Sequence, residues 1–472
     1  MMDTSTATFP QNVKRALADS QLQHAMTETG PRFISKRSKA REALPEFDAL
    51  RDQARDIKDH VLAYLDLYLE RYEEKVVAAG GKVHWAATAE EARAAILGIC
   101  QRVKARTVTK GKSMISEEID LNHHFEANGI TPVETDLGEY LIQLRKERPS
   151  HIIAPAVHLT RDQVEADFRK AHTHLDPKRD LSEIPALVEE ARQVLRQKYF
   201  DADVGVTGAN FLVAETGTSI IVTNEGNGDL TQILPKVHVV IASIEKIVPT
   251  LEDASTILRV LARSATGQDF SNYTTLSTGP KRPGDLDGPE EYHVVILDNG
   301  RSDVLGTEFQ DMLRCIRCGA CLNHCPVYQA VGGHAYGGVY PGPIGSVVTP
   351  ALVGIEKAKH LPNASTFCGR CEEVCPMRIP LPRMLRAWRE KEFEKHLQPQ
   401  AMRTGLGLWA FLAKRPKLYQ MVTRLAARVL HNRGHGTGRI SSLPLASGWT
   451  QCRDFPAPQG KTFQQMWKER RK

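Results

Sequence analysis

Apolar positions recur near helical spacing across residues 46–80, where Leu50, Ile57, Val61, Leu65 and Leu69 alternate with charge until Gly80-Gly81 ends the run. The pattern predicts one long amphipathic helix. Beyond it the pattern alternates. Residues 82–86 read as a strand, and Thr88-Ala89-Glu90-Glu91 forms a capping box opening a helix to about residue 101. A strand-like piece at 107–109 precedes a helix over 116–128 stopped by Gly129, and further strand-like pieces fall at 130–134 and 151–155. A second box, Thr160 to Gln163, opens a helix to about residue 171, and another helix is predicted over 182–198. Strand-like segments recur at 211–214, 219–223, 237–242 and 293–297. Strands alternating with helices predict an α/β domain with a largely parallel sheet, spanning 40–300 after an N-terminal arm at 1–39.

Amphipathic helix returns at 386–432, with Trp388, Leu406, Trp409, Phe411 and Leu412 on a stripe expected to form core. Residues 433–448 are rich in Gly and Ser, and Trp449, Phe455, Phe463 and Trp467 follow among polar residues, expected to pack on this chain or a partner subunit. Residues 386–472 are therefore assigned to a helical C-terminal extension and tail. Pro444, Pro456 and Pro458 interrupt any sustained apolar face, which argues against a membrane-surface helix.

Composition narrows the picture. A chain of 472 residues exceeds one ordinary core, so two or three domains are expected. No apolar stretch reaches the roughly 18 residues of a membrane span, so no integral membrane segment is expected. The first 30 residues lack the apolar centre of a signal peptide, which points to the cytoplasm. The net charge of +6 is mild and gathers in the runs 36–41 and 468–472, which read as solvated faces or partner-docking arms. No aromatic-interleaved groove or helix-turn-helix accompanies them, so no nucleic acid is expected.

Cysteine spacing carries the chemistry. Seven of the nine cysteines fall in two runs, Cys315-x2-Cys318-x2-Cys321-x3-Cys325-Pro326 and Cys368-x2-Cys371-x3-Cys375-Pro376. The first is the thiolate spacing of a two-cluster ferredoxin, in which three cysteines hold one cluster and the fourth crosses to the other. Cys315, Cys318, Cys321 and Cys375 are thus the expected ligands of the first cluster, and Cys325, Cys368 and Cys371 of the second. The position expected of an eighth cysteine holds Ser365. Two [4Fe-4S] clusters are expected, with [3Fe-4S] as the alternative for the second. A zinc site would strand a thiolate of the first run, and a disulfide framework does not suit a reducing compartment. The cluster segment is placed at 303–385 and expected to be mainly helical and ferredoxin-like. Between the runs, residues 332–345 hold too much Gly and Pro for regular structure and are expected to wrap the clusters.

The α/β part carries a second constellation: residues 110–118 (KGKSMISEE), 134–139 (ETDLGE), 214–218 (AETGT) and 223–228 (TNEGNG). Glycines, hydroxyls and carboxylates at strand ends suit a ligand crevice at the carboxyl edge of a parallel sheet. Gly217 and Gly226 would admit an anion to backbone amides, and Lys110 or Lys112 would neutralise it; tight-turn chemistry remains the competing reading. Lys112-Ser113 is not part of a phosphate-binding loop, because the upstream glycine is absent. His123, His124, His151 and His158 are scattered and read as structural.

Residues 110–130, 134–144, 149–164, 204–230, both cysteine runs and 448–458 (GWTQCRDFPAP) together resemble the lactate utilization protein B family. The resemblance implies a lactate-utilization (LUD) domain of NagB/RpiA/CoA-transferase-like α/β type ahead of the two-cluster segment. It also implies an electron-transfer subunit that works with two companion proteins in oxidising L-lactate to pyruvate. The family carries the same three-cysteine second run, so Ser365 is no departure from it. The electron acceptor is not specified by any motif, and catalytic residues are not identified. No Rossmann fingerprint for flavin or nicotinamide is visible. Two alternatives stay open: a self-sufficient iron–sulfur oxidoreductase with substrate in the LUD crevice, or a redox-sensing cluster protein.

Overall fold

The computed structural model describes residues 5–443, 447–450 and 453–471. Pro444, Cys452 and Lys472 lie outside the described residues. The chain divides into two compact units, the first ending at Glu392 and the second beginning at Phe393.

The first unit is built on a six-stranded, fully parallel sheet. The strands of the unit are β1 (Lys82–Ala86), β2 (Thr107–Lys110), β3 (Thr131–Glu134), β4 (Val204–Gly208), β5 (Phe211–Val213), β6 (Thr218–Thr223), β7 (Val237–Ser243), β8 (Ile247–Val248), β9 (Tyr273–Ser277) and β10 (Glu291–Leu297). The main sheet runs β1-β10-β7-β4-β2-β3. Every residue of β7 is buried, as expected of a central strand covered on both faces. One face packs on Ile96, Ile115, Leu121 and Phe125, the other on Leu65, Leu69, Tyr72 and Val76.

The expected α/β class is observed, and several local expectations are corrected. Residues 46–80 form two helices, Phe47–Ala63 and Leu65–Ala78, because Tyr64 leaves helical geometry at φ −130°. The first packs on the helix Leu251–Ala265 and the second on the sheet, so the break serves two differently placed partners. Residues 116–128 likewise divide into Met114–Glu118 and Leu121–Ala127, separated by Asp120 at φ +54°. β5 and β6 are not in the parallel sheet; they pair antiparallel within a second sheet, β8-β5-β6-β9. The few residues joining them allow a hairpin, whereas a parallel crossover needs about a dozen. Residues 151–155 form a turn, in which His151 Nδ1 accepts from the N–H groups of Ile153 and Ala154.

The N-terminal region is helical over Phe9–Ala18 and Ser20–Glu42, the second capped by the Asp19 carboxylate on the N–H groups of Gln21 and Leu22. The cysteine segment consists of short helical turns and the longer helices Gly342–Val353 and Leu381–Glu394. Residues 332–345 are buried apart from His334, and helix begins within them at Gly342. Pro343 sits in the first turn of that helix, where its missing N–H costs nothing.

In the second unit, helices Gln400–Ala413 and Pro416–Arg433 pack together. Neither has a buried residue, so Leu406, Trp409 and Phe411 do not form the expected core. Strands β11 (Arg439–Ile440) and β12 (Phe455–Pro456) pair antiparallel, and helix Phe463–Arg470 follows a complete capping box between Thr462 and Gln465. Among the described residues no helix is long and apolar enough to cross a membrane.

Candidate functional site

The two cysteine runs are one structural unit used twice, offset by fifty residues. Arg317 (φ +59°) and Gly319 (φ +73°) of the first run match Phe367 (φ +54°) and Gly369 (φ +81°) of the second. Each pair of left-handed residues throws the chain around a central cysteine, Cys318 or Cys368. A four-residue helix follows, Ala320–Asn323 or Arg370–Glu373, carrying Cys321 or Cys371. Cys325 and Cys375 end the units, each just before a proline. In the first unit the Arg317 N–H donates to Cys315 Sγ at 3.4 Å, and in the second the Phe367 N–H donates to Ser365 Oγ at 3.2 Å. The Ser365 hydroxyl therefore occupies the place of a thiol.

Cys315, Cys318, Cys321 and Cys375 line one cavity with Ile344, Met377, Ile379 and Leu381. Cys371 feels the charge of Cys325 and Cys368, and Cys325 that of Cys368, so the three lie together. Burial drives the Cys318 and Cys371 thiols up to about 12 and Cys375 up to about 11, and Cys321 well above its ordinary range. Opposing this, backbone N–H groups of Ala320, Met377 and Ile379 favour the ionised sulfurs. Four thiols in an apolar cavity do not ionise together unless a bound cation offsets their charge. The donor set, with backbone amides aimed at sulfur, fits an iron–sulfur group. The first set is enclosed, whereas Thr366, Phe367 and Cys368 are exposed, so the second set reaches the surface.

Cationic side chains surround the sulfurs. Arg37 is buried and donates to the Val374 carbonyl at 2.9 Å, and Arg51 donates to the carbonyls of Cys375 and Glu373, both at 2.7 Å. The basic run at 36–41 is thus not simply a solvated face, since one of its members is enclosed against the second cysteine run.

Beside the first thiol set lies a cavity of about 230 Å³. It opens between the carboxyl ends of β2 and β4, lined by Lys112 and Ser113 after β2 and by Gly208, Ala209 and Asn210 at the end of β4. β2 is followed by its neighbour on one side, β3, while β4 leads on toward β7 on the other. This is the switch point at which open α/β sheets bind ligands. A Cβ on Gly208 would lie 3.0 Å from Ser113 Oγ, so glycine permits the close approach of the two strand ends. Asp136, Glu225, Lys246, Ile316 and Arg317 also line the cavity. Burial, then Arg317, lowers the Lys246 pKa to about 8, and burial lowers that of Lys112.

Part of the predicted crevice lies elsewhere. Asn224 and Glu225 line the cavity, but Glu215, Thr216 and Gly217 do not. Glu215 accepts from the Leu251 N–H, and a Cβ on Gly217 would meet Val76 N at 2.6 Å, so this string is turn chemistry. Lys110 is buried among Glu134 (2.6 Å), Asn122 (2.7 Å) and Glu117 (3.5 Å) and does not line the cavity, whereas Lys112 does. His151 is a buried histidine whose Nε2 meets Asn323 Oδ1 at 3.0 Å, and burial pulls its pKa down to about 3. Lys246 and Arg317 are cavity residues that no motif marked.

Three family models match the chain: the LUD domain over residues 69–297, the 4Fe-4S dicluster domain over 311–379, and the C-terminal part of lactate utilisation protein B over 370–472. Lactate utilization protein B of Bacillus pumilus is 41% identical over 475 residues, covering 100% of this chain and 99% of the relative. The protein of that description from Macrococcus caseolyticus is 42% identical, covering 100% and 99%. An uncharacterized electron transport protein, YkgF, of Escherichia coli K12 is 40% identical, covering 99% and 97%. A crystal structure of a DUF162 family protein from Deinococcus radiodurans covers 49% of this chain and 98% of its own at 15% identity, with a TM-score of 0.27.

Proposed function

Since the chain belongs to the lactate utilization protein B family, we propose that it is the iron–sulfur electron-transfer subunit of a system that oxidises L-lactate to pyruvate with two companion proteins. Such a system lets a cell grow on lactate as carbon and energy source. The observation that carries the reading is the crossing of the cysteine runs: Cys375 of the second lines one cavity with Cys315, Cys318 and Cys321 of the first. In this reading those four thiolates hold one [4Fe-4S] cluster, and Cys325, Cys368 and Cys371 hold a second. Each cluster, when bound, takes up and releases one electron, and a pair matches the two electrons that leave L-lactate as it becomes pyruvate.

The chain's own residues set the conditions for that exchange. Arg37 and Arg51 supply positive charge and fix the backbone of the second run through its carbonyls. Ile344, Met377, Ile379 and Leu381, all buried, wall the enclosed set off from water. The exposed edge at Cys368 is the side a redox partner reaches, and the final acceptor belongs to another component. Ser365 Oγ stands ready to complete the second set as an oxygen donor, with [3Fe-4S] the alternative for that cluster. Thiolates reserved for iron–sulfur clusters suit the reducing cytoplasm, where the reading places the protein.

Anaerobic co-purification with the companions, followed by iron and sulfide analysis, tests the proposal. Two clusters' worth of iron and sulfide is the expected result, and L-lactate-dependent dye reduction should require the companions. Dye reduction by this chain alone would favour the self-sufficient oxidoreductase. An oxidised three-iron resonance that iron and reductant fail to convert would overturn the four-iron assignment of the second cluster.

A further inference from the structure

The cavity at the end of β2 and β4 gathers three cations, Lys112, Lys246 and Arg317. Arg317 Nε and Nη1 are buried with no hydrogen-bond partner, and only Nη2 approaches a carboxylate, Glu245 Oε1, at 3.5 Å. Its side chain is 10% exposed, so water does not serve those N–H groups freely. Among the described residues the ammonium groups of Lys112 and Lys246 make no direct ion pair, although carboxylate charge acts on both, from Asp136, Glu139 and Glu225 on Lys112 and from Glu245 on Lys246. The Arg317 guanidinium lies over the Tyr340 ring at 4.5 Å, which leaves its Nε and Nη1 donors unsatisfied, and the three cations outnumber the two carboxylates that line the cavity, so it carries an excess of positive charge. Glu245 is already engaged by Arg301 Nε at 3.0 Å. Two carboxylates, Asp136 and Glu225, also line the cavity and act on Lys112, and the walls that remain are apolar, from Ile152, Ile153 and Ile316, and neutral polar, from Asn210, Thr223 and Asn227.

That combination describes its ligand. A planar carboxylate satisfies two guanidinium N–H groups at once, and an ammonium adds a point charge beside it. Asparagine and threonine side chains donate to or accept from a neighbouring oxygen. A volume of about 230 Å³ falls below the roughly 300–1,000 Å³ of sites for drug-sized ligands, which selects a short carbon skeleton. Arg317 stands between Cys315 and Cys318, and its own N–H donates to Cys315 Sγ at 3.4 Å. An anion on its side chain is therefore held against the loop that carries the enclosed thiol set.

We propose that this cavity binds a short-chain carboxylate bearing a hydroxyl or keto oxygen on C2, with the carboxylate on Arg317 and the two lysines. The assignment rests on the electron-transfer reading for its choice of acid and gives that reading a site on this chain. It corrects the crevice inferred from residues 214–218, none of which touches the cavity.

The test is isothermal titration calorimetry on the anaerobically purified full-length protein with its clusters in place. Sodium L-lactate and sodium pyruvate are the probes, with sodium chloride and inorganic phosphate as separate arms. Saturable binding of L-lactate or pyruvate is expected. Lys112→Met and Lys246→Met should each weaken it roughly tenfold or more, as loss of a charged hydrogen bond does. Lys112→Arg should retain binding, and Glu215→Ala should leave it unchanged. Equal iron and sulfide content across the variants separates lost binding from lost folding. Addition of the bound acid is also expected to alter the paramagnetic resonance of the reduced protein, and not that of Lys246→Met. Absence of saturable binding, affinity in both methionine variants unchanged from the wild-type protein, or equal affinity for phosphate overturns the site. The electron-transfer reading stands or falls separately, on cluster content and companion-dependent dye reduction.

Discussion

One guanidinium, Arg301, holds two carboxylates that are otherwise buried with like charge. It donates to Glu118 through Nη1 at 2.9 Å and Nη2 at 2.7 Å, and its Nε lies 3.0 Å from Glu245. Burial would raise the Glu245 pKa, but Arg301 and Arg317 hold it down to about 2. Tyr340 Oη, from the segment between the cysteine runs, donates to the same Glu118 carboxylate at 2.5 Å. Removing the arginine leaves both carboxylates uncompensated, so Arg301→Met is expected to destabilise the first unit by about 3–5 kcal/mol. Thermal unfolding followed by cluster absorbance measures this, and a shift no larger than that of an exposed arginine would refute it. Glu118 stood in a string read as possible ligand chemistry; its role became visible only with Arg301, 183 residues away. His238 gives a second residue-scale prediction. Burial lowers its pKa from 6.5 to about 3, and its Nε2 meets Thr207 Oγ1 at 2.8 Å. Between those values the unfolded chain binds the proton and the folded chain does not. Stability conferred by the neutral ring is therefore full above 6.5 and lost as pH falls toward 3. The slope is about 1.4 kcal/mol per pH unit for this one group. His238→Gln should flatten the decline of the thermal midpoint between about pH 7 and about pH 5; an unchanged decline would show that the ring titrates normally.

At the scale of elements, what could be read from the pattern was what is local. Five of the six main strands were recognised in whole or part, β7 and β10 by the long apolar runs of covered strands and the others by short β-branched or aromatic pieces set between turn signals and helices. β4 escaped because Gly205 and Gly208 interrupt its apolar run. Gly205 is required there, since a Cβ would sit 1.9 Å from the Thr231 carbonyl of the helix packed against it. The same demand explains the Gly-rich stretch between the cysteine runs. A Cβ on Gly345 would fall 1.8 Å from Tyr340 O, inside the chain's own backbone, so Gly345→Ala is expected to prevent close winding of this segment and to lower iron and sulfide per chain. Full cluster content in that variant would show that the segment has room to adjust. The helix Ser20–Glu42 was missed, and with it the placement of Arg37. Its positive charge acts on Cys318. Arg37→Gln should therefore shift the potential of the first cluster to more negative values, on the order of tens of millivolts, because a nearby cation favours the reduced, more negative state. A redox titration followed by paramagnetic resonance reads the shift, and an unchanged potential with intact clusters would show that solvent screens the guanidinium.

On the scale of the whole molecule, the two sites differ in how far apart their residues lie in sequence. The cysteine runs are compact because an iron–sulfur group is held by thiolates a few residues apart, and the spacing alone names them. The cavity instead draws Lys112, Asp136, Gly208, Thr223, Lys246 and Arg317 from separate connections, so only the folded sheet brings them together. Strand-end glycines and lysines suggested a crevice, yet could not tell Lys112 from Lys110 or Glu225 from Glu215. All seven cysteines of the two runs and every residue lining the cavity belong to the unit that ends at Glu392. The helix that closes this unit runs to Glu394 and buries Leu381, Met384, Leu385 and Trp388, with the Trp388 ring stacked on Phe309 at 4.0 Å. A chain ending after Glu394 therefore keeps its thiol sets, its cavity and the apolar face of its last helix. Such a protein is expected to retain the iron and sulfide content of the full chain, together with its L-lactate or pyruvate affinity. A chain ending before Leu381 should lose both, because Phe309 and the cavity beside Cys375 would lose the side chains that cover them. Parallel metal analysis and calorimetry on the two truncations make the comparison. Loss of iron from the longer one would show that residues 395–472 are needed to hold the clusters.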